Sequence, residues 1–133
     1  MWAYYADSHK GVCLEFDIKS DTNLSINCHK IQYSDVYIAT GKAFDNYFRK
    51  SEQWMHEQEW RIVCHTDEEY ISTTSLKSII LGCKTPIDQI TEFILLAKER
   101  NLPVYQMNPS NSKYELVLTP ILKDGVIILG NMS

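Results

Sequence analysis

The sequence predicts an α+β fold, a mixed α/β arrangement with a single mixed sheet and about three helices. Three observations predict it. Apolar residues alternate with polar ones in "VCLEFDI", the period of a half-buried strand. Apolar residues after Pro86 recur at helical spacing, and that stretch is flanked by two short apolar runs, "LKSIILG" and "VYQM". Leu76 to Met107 therefore reads as strand, crossover helix, strand, a βαβ unit. A chain of 133 residues is expected to form a single domain over 1–133, which buries roughly two thirds of the surface its unfolded state exposes. Eight tyrosines and three tryptophans among 44% hydrophobic residues exclude a disordered, low-complexity chain.

In the first strand Val12, Leu14, Phe16 and Ile18 point to one side and Cys13, Glu15 and Asp17 to the other. Gly11 precedes it at a turn where a Cβ would cause strain. A second strand is expected over "CHKIQYS". From Thr40 as N-cap, Ala43, Phe44, Tyr47 and Phe48 recur with helical periodicity and continue to Trp54 and Met55, a helix feeding the strand "EWRIV". After "LKSIILG", Thr85-Pro86 opens a helix with Asp88 as a capping residue in its first turn and Ile87, Ile90, Ile94 and Ala97 as its inner stripe. Asn101 suits a left-handed C-terminal position, and Pro103 forbids continuation. "VYQM" and "KYELVLTPI" follow as strands, and the tail "GVIILGNMS" fits no single assignment.

A net charge of −4 argues against a broad nucleic-acid surface. No apolar run approaches the roughly 18 residues of a membrane span, and "MWAYYADSHKG" lacks the basic and apolar regions of a secretion signal, so a cytoplasmic protein without a membrane partner is expected. The four cysteines show no C-x-x-C spacing, as expected of small buried thiols kept reduced. Cys28-His29 and Cys64-His65 lack the local spacing of zinc ligands, and "HEQEW" has no second histidine four residues after His56. No metal site is predicted.

The stretch "WMHEQEWRIV" concentrates the charged candidates. In a strand, Glu57, Glu59 and Arg61 share one face while Trp60, Ile62 and Cys64 pack behind it. Two readings stay open: a solvated face with Glu59 and Arg61 weakly paired, or a working site. Lys50 and Trp54 carry the same choice, between solvated helix residue or core anchor and ligand contact. His9, just before the first strand, is either a structural turn residue or a group that binds an anion or moves a proton. "GCKTP" brings backbone N–H groups to a helix start but lacks a P-loop or dinucleotide fingerprint.

The blocks "MWAYYADSHKGVCLEFD", "KSEQWMHEQEWRIV", "LKSIILG" and "LPVYQMNPSNSKYELVLTPI" resemble, in order and spacing along nearly the whole chain, the bacterial family known as domain of unknown function 2971. Trp2, Tyr5, His9 and Gly11 in the first block and Lys50, Trp54, Glu57, Glu59 and Arg61 in the second are the most specific pieces. Members of that family carry a further N-terminal segment with a Tyr-rich strand and an Asn-Asp-Pro motif. The resemblance thus implies either the C-terminal part of a longer member or a shortened one. If the missing segment supplies a strand, an open sheet edge should promote self-association.

The family name implies no activity. The Glu57/Glu59 pair is also similar to the Glu-x-Glu element of ADP-ribosyltransferases, and this second resemblance implies an ADP-ribosyltransferase-like fold and NAD as substrate rather than a resident cofactor. By it, Glu59 would stabilise an oxocarbenium-like ribose carbon and hold a ribose hydroxyl, and Glu57 would orient or deprotonate the nucleophile. Lys50 or Arg61 would neutralise a pyrophosphate, and Tyr5 or Trp54 would stack on a base. The alternative expectation is a noncatalytic nucleotide- or protein-binding module.

Overall fold

Nine short strands and three helices are built by the described part of the chain, residues 2–36, 46–63 and 73–128 of a computed structural model. Thr40, Ala43, Phe44 and Cys64, and the tail from residue 129, lie outside it. In chain order the elements are α1 (Trp2–Tyr5), β1 (Val12–Phe16), α2 (Thr22–Asn27), β2 (Cys28–Lys30), β3 (Gln32–Tyr33), β4 (Arg49–Lys50), β5 (Trp60–Ile62), β6 (Leu76–Leu81), α3 (Ile87–Glu99), β7 (Val104–Pro109), β8 (Leu116–Lys123) and β9 (Val126–Ile127). They group into two compact units, residues 1–17 with 76–133, and residues 18–75.

The first unit is a five-stranded sheet in the order β1-β6-β7-β8-β9. Its β6 and β7 run parallel, with Ile79 opposite Val104, and α3 connects them as the expected crossover. The other pairs are antiparallel, so the sheet is mixed. Alternation places Ile79 and Leu81 on one face, where they pack with Ala97, Val104 and Leu122 as a buried core. Val12, Ile90, Phe93, Ile94 and Leu102 close around it.

The α3 helix follows the sequence expectation at both ends. Pro86 stands at the N-cap with extended backbone, Asp88 is in the first turn, and Asn101 takes a left-handed φ of 52° just past the end. Its inner stripe differs at one position: Ile87 is 70% exposed, because burial begins a turn later at Ile90.

β1 also departs from its expectation. It pairs antiparallel with β6 from Val12 opposite Leu81 to Phe16 opposite Leu76, but among the described strands it is an edge strand, and Leu14 and Phe16 are exposed while, of its residues, Val12 alone packs against the core. Cys13 is exposed as well, so the expected buried thiol is not found there. The described start of the tail forms a hairpin: Asp124 and Gly125 have φ of 51° and 75° and fold β9 back on β8.

Between α1 and β1, Asp7, Ser8 and His9 all have positive φ. This turn docks on the loop after β6: Gly82 N–H donates to Gly11 O, and Lys84 N–H donates to His9 O, both at 3.0 Å. The Thr85 hydroxyl is within 3.0 Å of Lys10 O and 2.9 Å of Gly82 O. A Cβ on Gly82 would lie 2.0 Å from the His9 carbonyl oxygen, and one on Gly11 would lie 2.9 Å from Ala6 Cα. Close backbone approach, rather than an unusual φ, is what requires glycine at both.

In the second unit α2 is capped by Asp21, whose carboxylate accepts from Leu24 N–H at 3.1 Å and from the Thr73 hydroxyl at 2.7 Å. β2 pairs antiparallel with β5, and β3 pairs parallel with β4. The expected strand over "CHKIQYS" is thus two strands, broken at buried Ile31, whose N–H donates to Glu59 O at 3.0 Å.

The expected helix through Trp54 and Met55 is a 3-10 segment, Glu52–Glu57, which ends where Gln58 turns left-handed at φ 49°. Consequently the strand begins at Trp60, not Glu57. The faces are the reverse of the expectation: Trp60 is 57% exposed and Ile62 is exposed, while Glu57 is 8% exposed. Gln58 resets the alternation, and ion pairing lets the charged side chains be the covered ones.

Candidate functional site

The charged residues of the second unit meet on Lys50, which β4 presents opposite Tyr33 of β3. The left-handed turn at Gln58 lets Glu57, from the 3-10 segment, and Glu59, ahead of β5, reach the same ammonium. Lys50 Nζ donates to Glu57 Oε2, and to Glu59 Oε2 at 3.0 Å. Arg61 grips the other side of Glu59 through two bonds, Nε to Oε1 at 2.5 Å and Nη2 to Oε2 at 3.2 Å. The guanidinium also donates from Nη1 to the Tyr47 carbonyl, and the Glu59 N–H donates to the Tyr33 hydroxyl at 2.8 Å. Trp54 covers the assembly from one side, its ring centroid 5.2 Å from Lys50 Nζ.

Two carboxylates and two cations balance. The Arg61 hydrogen bonds, with help from Lys50, hold the Glu59 carboxyl below its ordinary range despite partial burial. Glu59 in turn raises Arg61, and Glu57 followed by Glu59 raises Lys50. All of these cations stay charged, so neither is suited to accept a proton near neutrality.

Five of the seven expected site residues are therefore together: Lys50, Trp54, Glu57, Glu59 and Arg61. Tyr5 and His9 belong to the other unit. Tyr5 is exposed on α1. His9 sits in the positive-φ turn, half-buried, and its Nδ1 is buried without a hydrogen-bond partner among the described residues. The N–H groups of "GCKTP" do not form an anion cradle: those of Gly82, Lys84 and Thr85 donate to Gly11, His9 and Gly82 carbonyls.

Sequence reasoning missed Tyr33 and Tyr47, which enter through long-range hydrogen bonds that periodicity does not encode. It also missed a groove of about 390 Å³ lined by His29, Lys30, Gln32, Phe48 and Arg49. The basic and aromatic residues of "CHKIQ" and "FRK" were its available signal.

No helix among the described residues is long and apolar enough to cross a membrane. No curated protein and no solved structure matches the chain. The likeness to ADP-ribosyltransferases accordingly rests on the Glu-x-Glu pair alone. A family model does match, over residues 1–39, a span that contains Tyr5, His9 and Gly11 but stops short of the Lys50 network. That match is narrower than the resemblance read along the whole chain: residues 1–39 are similar to the family described as protein of unknown function, DUF2971.

Proposed function

We propose that the chain is a noncatalytic nucleotide- or protein-binding module in which the Lys50–Glu57–Glu59–Arg61 assembly is an internal brace. The observation that carries this reading is the occupancy of Glu59: both carboxylate oxygens are engaged, by Lys50 on one and by Arg61 across the pair. A carboxylate that stabilises a ribose cation must offer uncompensated negative charge to the reacting carbon. Here two cations already match that charge, and Glu57 is covered. The edge of β1, which pairs with no second strand among the described residues, supports self-association as a second property of the module. A cytoplasmic setting remains part of the proposal.

Incubation with NAD and measurement of released nicotinamide tests the reading, using wild type and Glu59→Gln with folding followed by circular dichroism. The expected result is no turnover by either protein and lower thermal stability for the variant. Turnover by wild type that falls on the order of 100-fold to 1000-fold in Glu59→Gln would overturn it in favour of a Glu-x-Glu transferase.

A further inference from the structure

We infer that the groove lined by His29, Lys30, Gln32, Phe48 and Arg49 binds a nucleoside monophosphate, the phosphate against Lys30 and Arg49 and the base against Phe48. The inference rests on the binding-module reading and names its ligand class.

Among the described residues the groove's lining contains an ammonium, a guanidinium, an imidazole, an amide and a phenyl ring, with no carboxylate. Lys50, the next residue on β4, is held by Glu57 and Glu59, whereas neither Lys30 nor Arg49 forms an ion pair among the described residues. Two cations match a phosphomonoester, which carries about −1.5 to −2 charges at neutral pH, and a guanidinium can bind two of its oxygens at once. The volume of about 390 Å³ falls within the roughly 300–1,000 Å³ of small-molecule sites.

The lining is also held in place. Gln32 N–H donates to Phe48 O at 2.7 Å, and Gln32 is in register with Arg49 across the β3/β4 pair. The His29 ring lies 4.8 Å from that of Phe48, tilted by 59°, and so backs the aromatic wall. His29 is itself in register with Arg61, which ties the groove to the braced strand. An aromatic wall beside two cations fits a ligand with both a flat base and a phosphate better than either part alone.

Isothermal titration of the full chain at low salt with AMP, inorganic phosphate and adenosine tests this. AMP is expected to bind more tightly than phosphate or adenosine. Arg49→Gln and Lys30→Gln should each weaken AMP about 10-fold or more. Phe48→Leu should weaken AMP while leaving phosphate unchanged. Lys30 is exposed, so its variant folds even if another does not.

No AMP binding at millimolar ligand, AMP binding indifferent to Lys30→Gln and Arg49→Gln, or tighter binding of a short single-stranded oligonucleotide would each overturn the assignment. A failure of this groove leaves the expected absence of NAD turnover untouched. Nicotinamide release lost in Glu59→Gln would overturn the module reading whatever the groove binds.

Discussion

Lys50 is shared by two carboxylates, whereas Arg61 serves one, and the two cations should not be equivalent. Lys50→Met leaves the covered Glu57 without its ammonium and deprives Glu59 of one of two partners, so it should lower the urea midpoint more than Arg61→Met does. Glu57→Gln keeps the shape but replaces a charge-assisted bond, with an expected loss of about 1–3 kcal/mol in the same measurement. Glu59 adds a pH dependence. Its carboxyl titrates lower in the folded chain than the unfolded value of about 4.3, so its contribution is fully present above that value and is lost as pH falls through the folded one. Wild type should therefore lose stability on acidification below about pH 4 more steeply than Glu59→Gln, as read from urea midpoints across that range. At this scale the sequence identified the four brace residues and Trp54 beside them but assigned Glu57, Glu59 and Arg61 the wrong face. The period-two argument assumes unbroken extended backbone from Glu57, and the left-handed Gln58 breaks it.

Gly82 shows how one element constrains another. The turn through His9 needs the space a Cβ would take, and backbone cannot yield as a flexible side-chain tip would. Gly82→Ala should cost about 1–3 kcal/mol by forcing the turn off the loop after β6, measured by chemical denaturation. Leu81, fully buried between α3 and the sheet, should lose about 2–5 kcal/mol on replacement by alanine. The βαβ unit was legible because its signals are local and agree: apolar runs of strand length, Pro86 and Asp88 at the start, Asn101 and Pro103 at the end. The "CHKIQYS" stretch was not, since its break at Ile31 depends on pairing with β4 and β5, which come from later in the chain. The β8–β9 hairpin does have a local signal, the Asp124-Gly125 turn pair, but the apolar run after it carries no period that separates strand from helix.

At the scale of the whole molecule, residues 18–75 form a unit inserted into another whose strands β1 and β6 are neighbours. Phe16 and Leu76, where the insertion leaves and returns, are partners in the ladder. Replacing residues 18–75 by a short Asn-Gly turn should therefore leave the five-stranded sheet able to form. The check is strand-type circular dichroism and a cooperative unfolding transition in the shortened chain; loss of cooperativity would count against an independently folding sheet. The composition and periodicity made the α+β class legible. They contained no signal for the division into two units, because no Gly/Ser-rich or Pro-rich linker marks either junction.

The Phe16–Leu76 pairing also sets a timetable for synthesis. Leu14 and Phe16 are translated early, but the strand that pairs with them follows about sixty residues later, a delay on the order of 3–12 s at ordinary elongation rates. During that interval β1 is an unpaired apolar strand on the growing chain. If the insertion folds first, it replaces a long floppy loop with a tethered pair of ends and reduces the entropy lost when β6 arrives.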